Sequence, residues 1–193
     1  YVGIRTRARV PLVVGVLTVA LPLAYGAIRM PQVRADRENA PSLRVGIVQP
    51  SISVEKKRDD AFRPTRLTQL QSMTAALESA GAELVVWPET AYPYRLARTR
   101  KADPKDERRI LTGGVHGPLL LGLVTHDKEN HGYNSTLGVV PGGDFVGTSD
   151  KVHLLAFGEF TPLWEEIPAI QKFASRGLYA GDRPAPITIA GAR

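Results

Sequence analysis

The chain has 193 residues, 43% of them hydrophobic, and a net charge of +6 from 25 basic and 19 acidic side chains. That length suits one ordinary domain of roughly 100–200 residues with an appendage, and the apolar content excludes global disorder. The absence of cysteine excludes a disulfide scaffold, a thiolate zinc site and a cysteine nucleophile within these residues. The first residue is Tyr1 and not methionine, so the natural chain is expected to begin earlier.

The basic excess is unevenly placed. Residues 1–40 hold six basic and two acidic groups, leaving nineteen and seventeen for residues 41–193. Nucleic-acid binding requires a basic face on the folded domain itself, so no nucleic-acid partner is expected.

From Val10 to Ile28 the sequence runs nineteen residues without a formal charge. As a helix this covers about 28 Å, close to the roughly 30 Å hydrocarbon core of a bilayer. Pro11 falls where a missing N–H costs little, and Pro22 is a kink that membrane helices accommodate. A buried core helix usually carries a polar face, and a signal sequence has a shorter apolar stretch, although Ala24-Tyr25-Gly26 resembles a cleavage site. The expected organisation is a basic flank at 1–9, a transmembrane helix at 10–28, a linker at 29–42 and a domain at 43–193. Arg5, Arg7 and Arg9 balance Arg29, Arg34 and Arg37, so charge does not fix orientation.

Within the domain, Leu43–Gln49 alternates and is rich in β-branched residues, which predicts a strand. Leu67, Leu70, Met73, Ala76 and Leu77 recur at helical spacing and predict a helix over Thr65–Ala80, stopped by Gly81. Leu84–Trp87 reads as a buried strand closed by Pro88. Further strands are expected at Leu119–Thr125, Ser135–Val140 and Ile187–Ala190, with a turn at Pro141–Asp144. Strand, helix, strand and then several strands indicate an α/β or layered α+β domain.

Glu89 follows the second strand across one proline, in Val85-Val86-Trp87-Pro88-Glu89-Thr90. Side chains at the carboxyl end of such a strand point into the crevice where α/β proteins bind ligands. Partial desolvation beside Trp87 would make Glu89 a better general base; alone, it also reads as a solvated glutamate opening a loop. Glu159 sits in Phe157-Gly158-Glu159-Phe160, an apolar setting in which a carboxylate requires a partner. Lys151 follows the expected hairpin. Two glutamates and a lysine can hold a network around a nucleophile, the ammonium stabilising an oxyanion and one glutamate taking a proton. An ordinary surface salt bridge is the competing reading.

Taken together, W-P-E at 87–89, Y-N-S at 133–135, D-K at 150–151 and F-G-E at 157–159 resemble the nitrilase (carbon–nitrogen hydrolase) superfamily. Val45–Pro50 matches as its first strand, so the resemblance covers about residues 43–190. A preceding apolar span and F-G-E-F-T-P-L at 157–163 are similar to one branch, the bacterial apolipoprotein N-acyltransferases. The resemblance implies an αββα sandwich, incomplete here. It also implies Glu89 as general base, Lys151 as second member of a Glu-Lys-Cys triad and Glu159 as a further required glutamate. No cofactor or metal is implied.

The departures are specific. The family's nucleophilic cysteine lies in a hydrophobic segment beyond the next strand, and this sequence reaches Gly191-Ala192-Arg193 before any such segment. Lys56-Lys57-Arg58 occupies the place of a family tryptophan, and Ala156 replaces the proline before F-G-E. The implied chemistry is acyl transfer from a phospholipid, through a cysteine thioester, to the amine of a diacylglyceryl-modified apolipoprotein at a bacterial inner membrane. The catalytic domain would lie on the extracytoplasmic side, and the segment alone would be inactive. A nitrilase-type amidase acting on a small amide and a non-catalytic nitrilase-like domain are the alternatives.

Two other features admit readings. Arg95–Arg109 carries seven basic and three acidic groups, which suits either anionic headgroups or a solvated loop. His126 and His131 beside Asp127 resemble a charged hairpin tip more than a ligand set.

Overall fold

A computed structural model describes residues 2–190 of the chain; the side chains of residues 2–8, Val54 and Arg58 are outside the description. The expected basic flank at Arg5 and Arg7 and the end at Gly191–Arg193 therefore lie outside the described side chains or residues. The chain divides into two compact units, Tyr1–Ser42 and Leu43–Arg193.

The first unit is one helix, α1, Val2–Glu38. Its stretch Arg9–Glu38 is long and apolar enough to cross a membrane, and none of its most apolar window is buried. Leu12 and Leu23 are each 68% exposed. The helix continues through Met30–Glu38, most of the segment expected to be a linker. Arg29 donates to Gln32 (3.2 Å), and the Asn39 amide reaches the Ala35 carbonyl (2.9 Å) at the helix end. Arg, Gln, Ala and Glu are favourable helix formers, so the helix extends beyond its apolar run.

The second unit is built on one six-stranded mixed sheet. Its strands are β1 (Val45–Ile47), β2 (Leu84–Val86), β3 (Arg95–Ala97), β4 (Leu119–His126), β5 (Gly132–Val139) and β6 (Phe145–Asp150). Strands β1, β2 and β4 are parallel neighbours, while β5 and β6 continue antiparallel. The last three residues of β4 pair with β3. Because β5 occupies the other edge of β4, β2 and β3 share one edge, and the segment between them bulges outward. Tight turns close the antiparallel part, with Asn130 (φ +66°) in the first, and Gly142 and Gly143 (both +96°) in the second.

Short helix α2 (Val54–Arg58) and a 3-10 turn (Asp60–Phe62) lead into α3 (Arg63–Ser79). Helix α3 buries Leu67, Leu70 and Thr74 at helical spacing. Gly81, at φ +91°, follows its end, and the Ala82 N–H bonds the Leu77 carbonyl (3.0 Å). Alternate residues Leu119, Leu121 and Leu123 of β4 are fully buried and join Leu70, Val85, Leu137 and Val139 in the core. Each such leucine contributes about 1.5–3 kcal/mol relative to exposure. A final short helix, α4, spans Pro168–Gln171.

This is the mixed α/β sheet expected of the sequence. Ile187–Ala190, however, does not form a strand. Pro184 and Pro186 remove two ladder donors just before it. Ile187 instead packs over Gly138 and Gly147, and Ile189 is buried and makes only an isolated β-bridge.

Candidate functional site

Four side chains from separate stretches converge beside the sheet. Glu89 stands three residues beyond β2, in a turn closed by the Ala91 N–H on the Pro88 carbonyl (3.2 Å). Thr90 occupies the left-handed region (φ +49°), a conformation that costs a non-glycine residue roughly 1–2 kcal/mol. Such strain persists where surrounding contacts impose it. Here Lys57 from α2 supplies one, its ammonium donating to Thr90 Oγ1 at 2.7 Å and lying 3.5 Å from the Glu89 carbonyl.

Lys151 comes directly after β6, and its N–H donates to the Asn134 carbonyl at 2.8 Å. The strand pairing of Ser135 with Asp150 thus extends by one residue, placing Asn134 and Lys151 opposite each other. Side chains opposite one another leave the sheet on the same face. Ser135 and Asp150 point to the other face, where Ser135 Oγ donates to Asp150 (2.6 Å) and Arg98 pairs with the second Asp150 oxygen (2.7 Å).

Glu159 occupies a second tight turn, held by its own N–H on the Leu155 carbonyl (2.8 Å), with Phe157 left-handed (φ +62°). The Lys151 ammonium lies 3.1 Å from Glu89 Oε1 and 2.9 Å from Glu159 Oε1. The Asn134 amide donates to the same two oxygens, at 3.1 Å to Glu159 and in a close contact to Glu89. Glu159 Oε2 accepts from the Leu155 N–H at 2.8 Å.

The two carboxylates are therefore not equivalent. Both oxygens of Glu159 are engaged and its side chain is 17% exposed. The Glu89 side chain is 60% exposed, and among the described residues its Oε2 has no hydrogen-bond partner. The Leu155 N–H above all, then Lys151 and Asn134, hold the Glu159 carboxyl below its usual value against the opposing effect of burial. Hydrogen bonds that the ammonium donates to Glu159 and then Glu89 raise Lys151 above the ordinary lysine value. Both shifts keep Lys151 as an ammonium beside an ionised Glu159 at neutral pH.

The expected shielding of Glu89 by Trp87 is not observed. Trp87 is 2% exposed and turns its indole to α3, where Nε1 donates to Thr74 Oγ1 at 2.8 Å. It anchors the strand while the next two residues turn outward. Glu159 does have the partner its apolar surroundings required, but the network is part-exposed and not buried. Asn134 was legible in sequence only as part of Y-N-S, with no role; its burial, at 5% exposure, comes from the structure alone.

A cavity of about 400 Å³ borders this group, lined by Val86, Leu120 and Gly122 on one side and by Thr136, Ser149 and Lys151 on another, with Glu89 and Asn134. A larger cavity of about 710 Å³, lined by Asp103, Lys105, Arg109 and His116, contains none of the four converging residues. The basic stretch 95–109 is largely occupied internally. Arg95 bonds the Asn130 carbonyl, Arg98 pairs with Asp150 and Arg108 with Asp106. Asp103 accepts the Ile110 and Leu111 N–H groups, each at 2.8 Å. At the β4–β5 hairpin, Asp127, Glu129 and His131 bring ligand atoms within 4.8 Å of one another. The Asp127 carboxylate there already pairs with His131 (2.9 Å) and accepts from the Tyr133 hydroxyl (3.2 Å).

No family model matches the chain. The apolipoprotein N-acyltransferase of Sinorhizobium medicae is 33% identical over 163 residues, covering 80% of this chain and 30% of that protein. The apolipoprotein N-acyltransferase of Brucella suis is 39% identical over 133 residues, covering 65% of this chain and 24% of that protein. This chain thus spans less than a third of the length of these relatives. Among solved structures, Saccharomyces cerevisiae Nit3, a member of branch 10 of the nitrilase superfamily, aligns with a TM-score of 0.46 at 19% identity, covering 76% of this chain and 51% of its own. Over most of its length, therefore, the chain is homologous to bacterial proteins named apolipoprotein N-acyltransferase.

Proposed function

We propose that this chain is the larger part of the catalytic domain, with one membrane span, of an apolipoprotein N-acyltransferase. The observation that carries the reading is Lys151 held between Glu89 and Glu159 beside the 400 Å³ cavity. Glu89, exposed and with a spare oxygen, takes the proton of a cysteine thiol supplied from outside these 193 residues. The thiolate attacks the ester carbonyl of a phospholipid, and Lys151 stabilises the oxyanion that forms. Collapse of that intermediate breaks the ester bond, and the leaving lysophospholipid oxygen takes the proton back from Glu89. The amine of a diacylglyceryl-modified apolipoprotein then attacks the thioester, gives up a proton to Glu89 and releases the thiolate. Glu159, with both oxygens engaged, holds Lys151 in place.

The exposed apolar helix α1 supports a place in a membrane, and the acyl-transfer reading implies the bacterial inner membrane with the domain on its extracytoplasmic side. A membrane-held site keeps both lipid substrates at hand and limits competing water. The test is thioester formation from labelled phospholipid in the full-length protein. Wild type should accumulate a hydroxylamine-sensitive labelled band, and Glu89→Gln and Lys151→Ala should each abolish it. Undiminished labelling in either variant refutes the roles. Hydrolysis of a small amide, without transfer from phospholipid, would point to an amidase.

A further inference from the structure

We propose that Gly122 is a positioning residue for Glu89, an inference that rests on the acyl-transfer reading above. Gly122 lies mid-strand in β4 on the face that lines the candidate cavity. The outward bulge between β2 and β3 brings the Pro88–Thr90 turn down onto this one residue. The Trp87 N–H bonds the Leu120 carbonyl at 2.8 Å, and the Tyr92 N–H bonds the Gly122 carbonyl at 3.0 Å, so both ends of the turn are pinned to β4 on either side of it.

A Cβ at position 122 would stand 2.7 Å from Glu89 Cα and 2.8 Å from Thr90 N, and closer still to the Pro88 carbonyl oxygen. All three are backbone atoms, so no side chain can swing aside, and the turn itself has to rise. The turn is held from above by Lys57 and rests below on the flank of Gly122, which carries no Cβ. Its height sets the reach of Glu89 Oε1 to Lys151 Nζ, now 3.1 Å. Gly122 thus acts through Glu89 and has no need of the left-handed backbone that glycine often provides. The nearby Gly138 is a contrast within the same hairpin, because a Cβ there meets the side-chain ends of Ile187 and Val146.

The test uses the full-length, detergent-purified protein with Gly122→Ala, Glu89→Gln, the double variant, and Gly138→Ala as a control. Acetylation of Lys151 by limiting acetic anhydride, read by mass spectrometry against Lys172, reports whether Glu89 still pairs with it. Gly122→Ala should raise Lys151 labelling to the Glu89→Gln level, with no further rise in the double variant. It should lower kcat by roughly ten- to a hundredfold, since displacements of about 1 Å cost that much, with KM changed less. Gly138→Ala, whose clash is with the Ile187 and Val146 side chains, should leave Lys151 labelling at the wild-type level. Unchanged Lys151 labelling in Gly122→Ala overturns the inference, and so does loss of its cooperative unfolding transition, which would make Gly122 a folding residue. If wild type transfers no acyl group while Gly122→Ala still exposes Lys151, the functional reading fails and the positioning of Glu89 stands.

Discussion

Asn134 and Lys151 face each other across the end of the β5–β6 pairing and reach the same two carboxylate oxygens. The Lys151 N–H bonds the Asn134 carbonyl at 2.8 Å, and both side chains donate to Oε1 of Glu89 and Oε1 of Glu159. The backbone bond fixes the side-chain bonds, because cross-strand partners share one face of the sheet. Two neutral amide hydrogens and one ammonium thus bring two anions together that would otherwise repel each other.

Asn134 should accordingly be as sensitive as the charged members. Hydrogen bonds to charged groups are worth about 1.5–3 kcal/mol, or roughly ten- to a hundredfold in rate where they hold the reacting geometry. Asn134→Leu in the full-length protein is expected to lower acyl transfer by that factor. Asn134→Asp should do worse, since it adds a third carboxylate to the pair. Activity within twofold of wild type for Asn134→Leu would show that the lysine alone holds the site.

Much of this arrangement was legible in sequence, and the gaps have physical causes. The apolar run Leu119–Val124 announces β4, and Glu89, Lys151 and Glu159 stand out as charges in apolar settings. Asn134 did not stand out, because a polar residue in a strand looks the same whether it meets solvent or a carboxylate. The orientation of Trp87 depended on Thr74, thirteen residues earlier on α3, a contact that periodicity does not encode. Ile187–Ala190 has the composition of a strand, yet with the prolines ahead of it the segment makes no more than an isolated bridge at Ile189.

The lowered Glu159 carboxyl predicts a pH signature in stability. A carboxyl whose folded value lies below its unfolded one stabilises the fold above the unfolded value of about 4.3, and that contribution is lost as pH falls through the folded value. The stability difference between wild type and Glu159→Gln should therefore be constant from neutrality to about pH 5 and shrink at lower pH. Urea midpoints for both proteins across that range provide the measurement. A difference that stays constant down to pH 3 would mean that Glu159 gains nothing from Leu155, Lys151 and Asn134.

Lys57 offers a milder perturbation of the same turn. Its ammonium bonds Thr90 Oγ1 at 2.7 Å from an exposed position, so Lys57→Met removes one restraint and leaves the core intact. Stability should change by less than about 1 kcal/mol, as for other exposed polar contacts. Acyl transfer should fall by roughly three- to tenfold, as the loosened turn spends less time with Glu89 in reach of its partners. A loss of stability larger than the loss of activity would assign Lys57 to folding and not to the turn.

The opposite face of the sheet carries a second ion pair that bears on Lys151 through the backbone. Asp150 accepts from Ser135 Oγ at 2.6 Å and from Arg98 at 2.7 Å, with its side chain 11% exposed. Arg98 also lies over the Tyr133 ring, 4.1 Å from its centroid. Removing the cation leaves a largely buried carboxylate with one neutral partner, an asymmetric loss that exceeds the worth of an exposed pair. Arg98→Met deletes both the charge and the guanidinium that lies over Tyr133, and is expected to cost about 1–3 kcal/mol in unfolding free energy. The double variant Arg98→Met/Asp150→Asn should recover part of that loss, because the amide can bond Ser135 without an uncompensated charge. Recovery of stability should be accompanied by recovery of acyl transfer, since both depend on the β5–β6 pairing that places Lys151 opposite Asn134. Stability restored without activity would show that Asp150 acts on Lys151 electrostatically as well as through the strand.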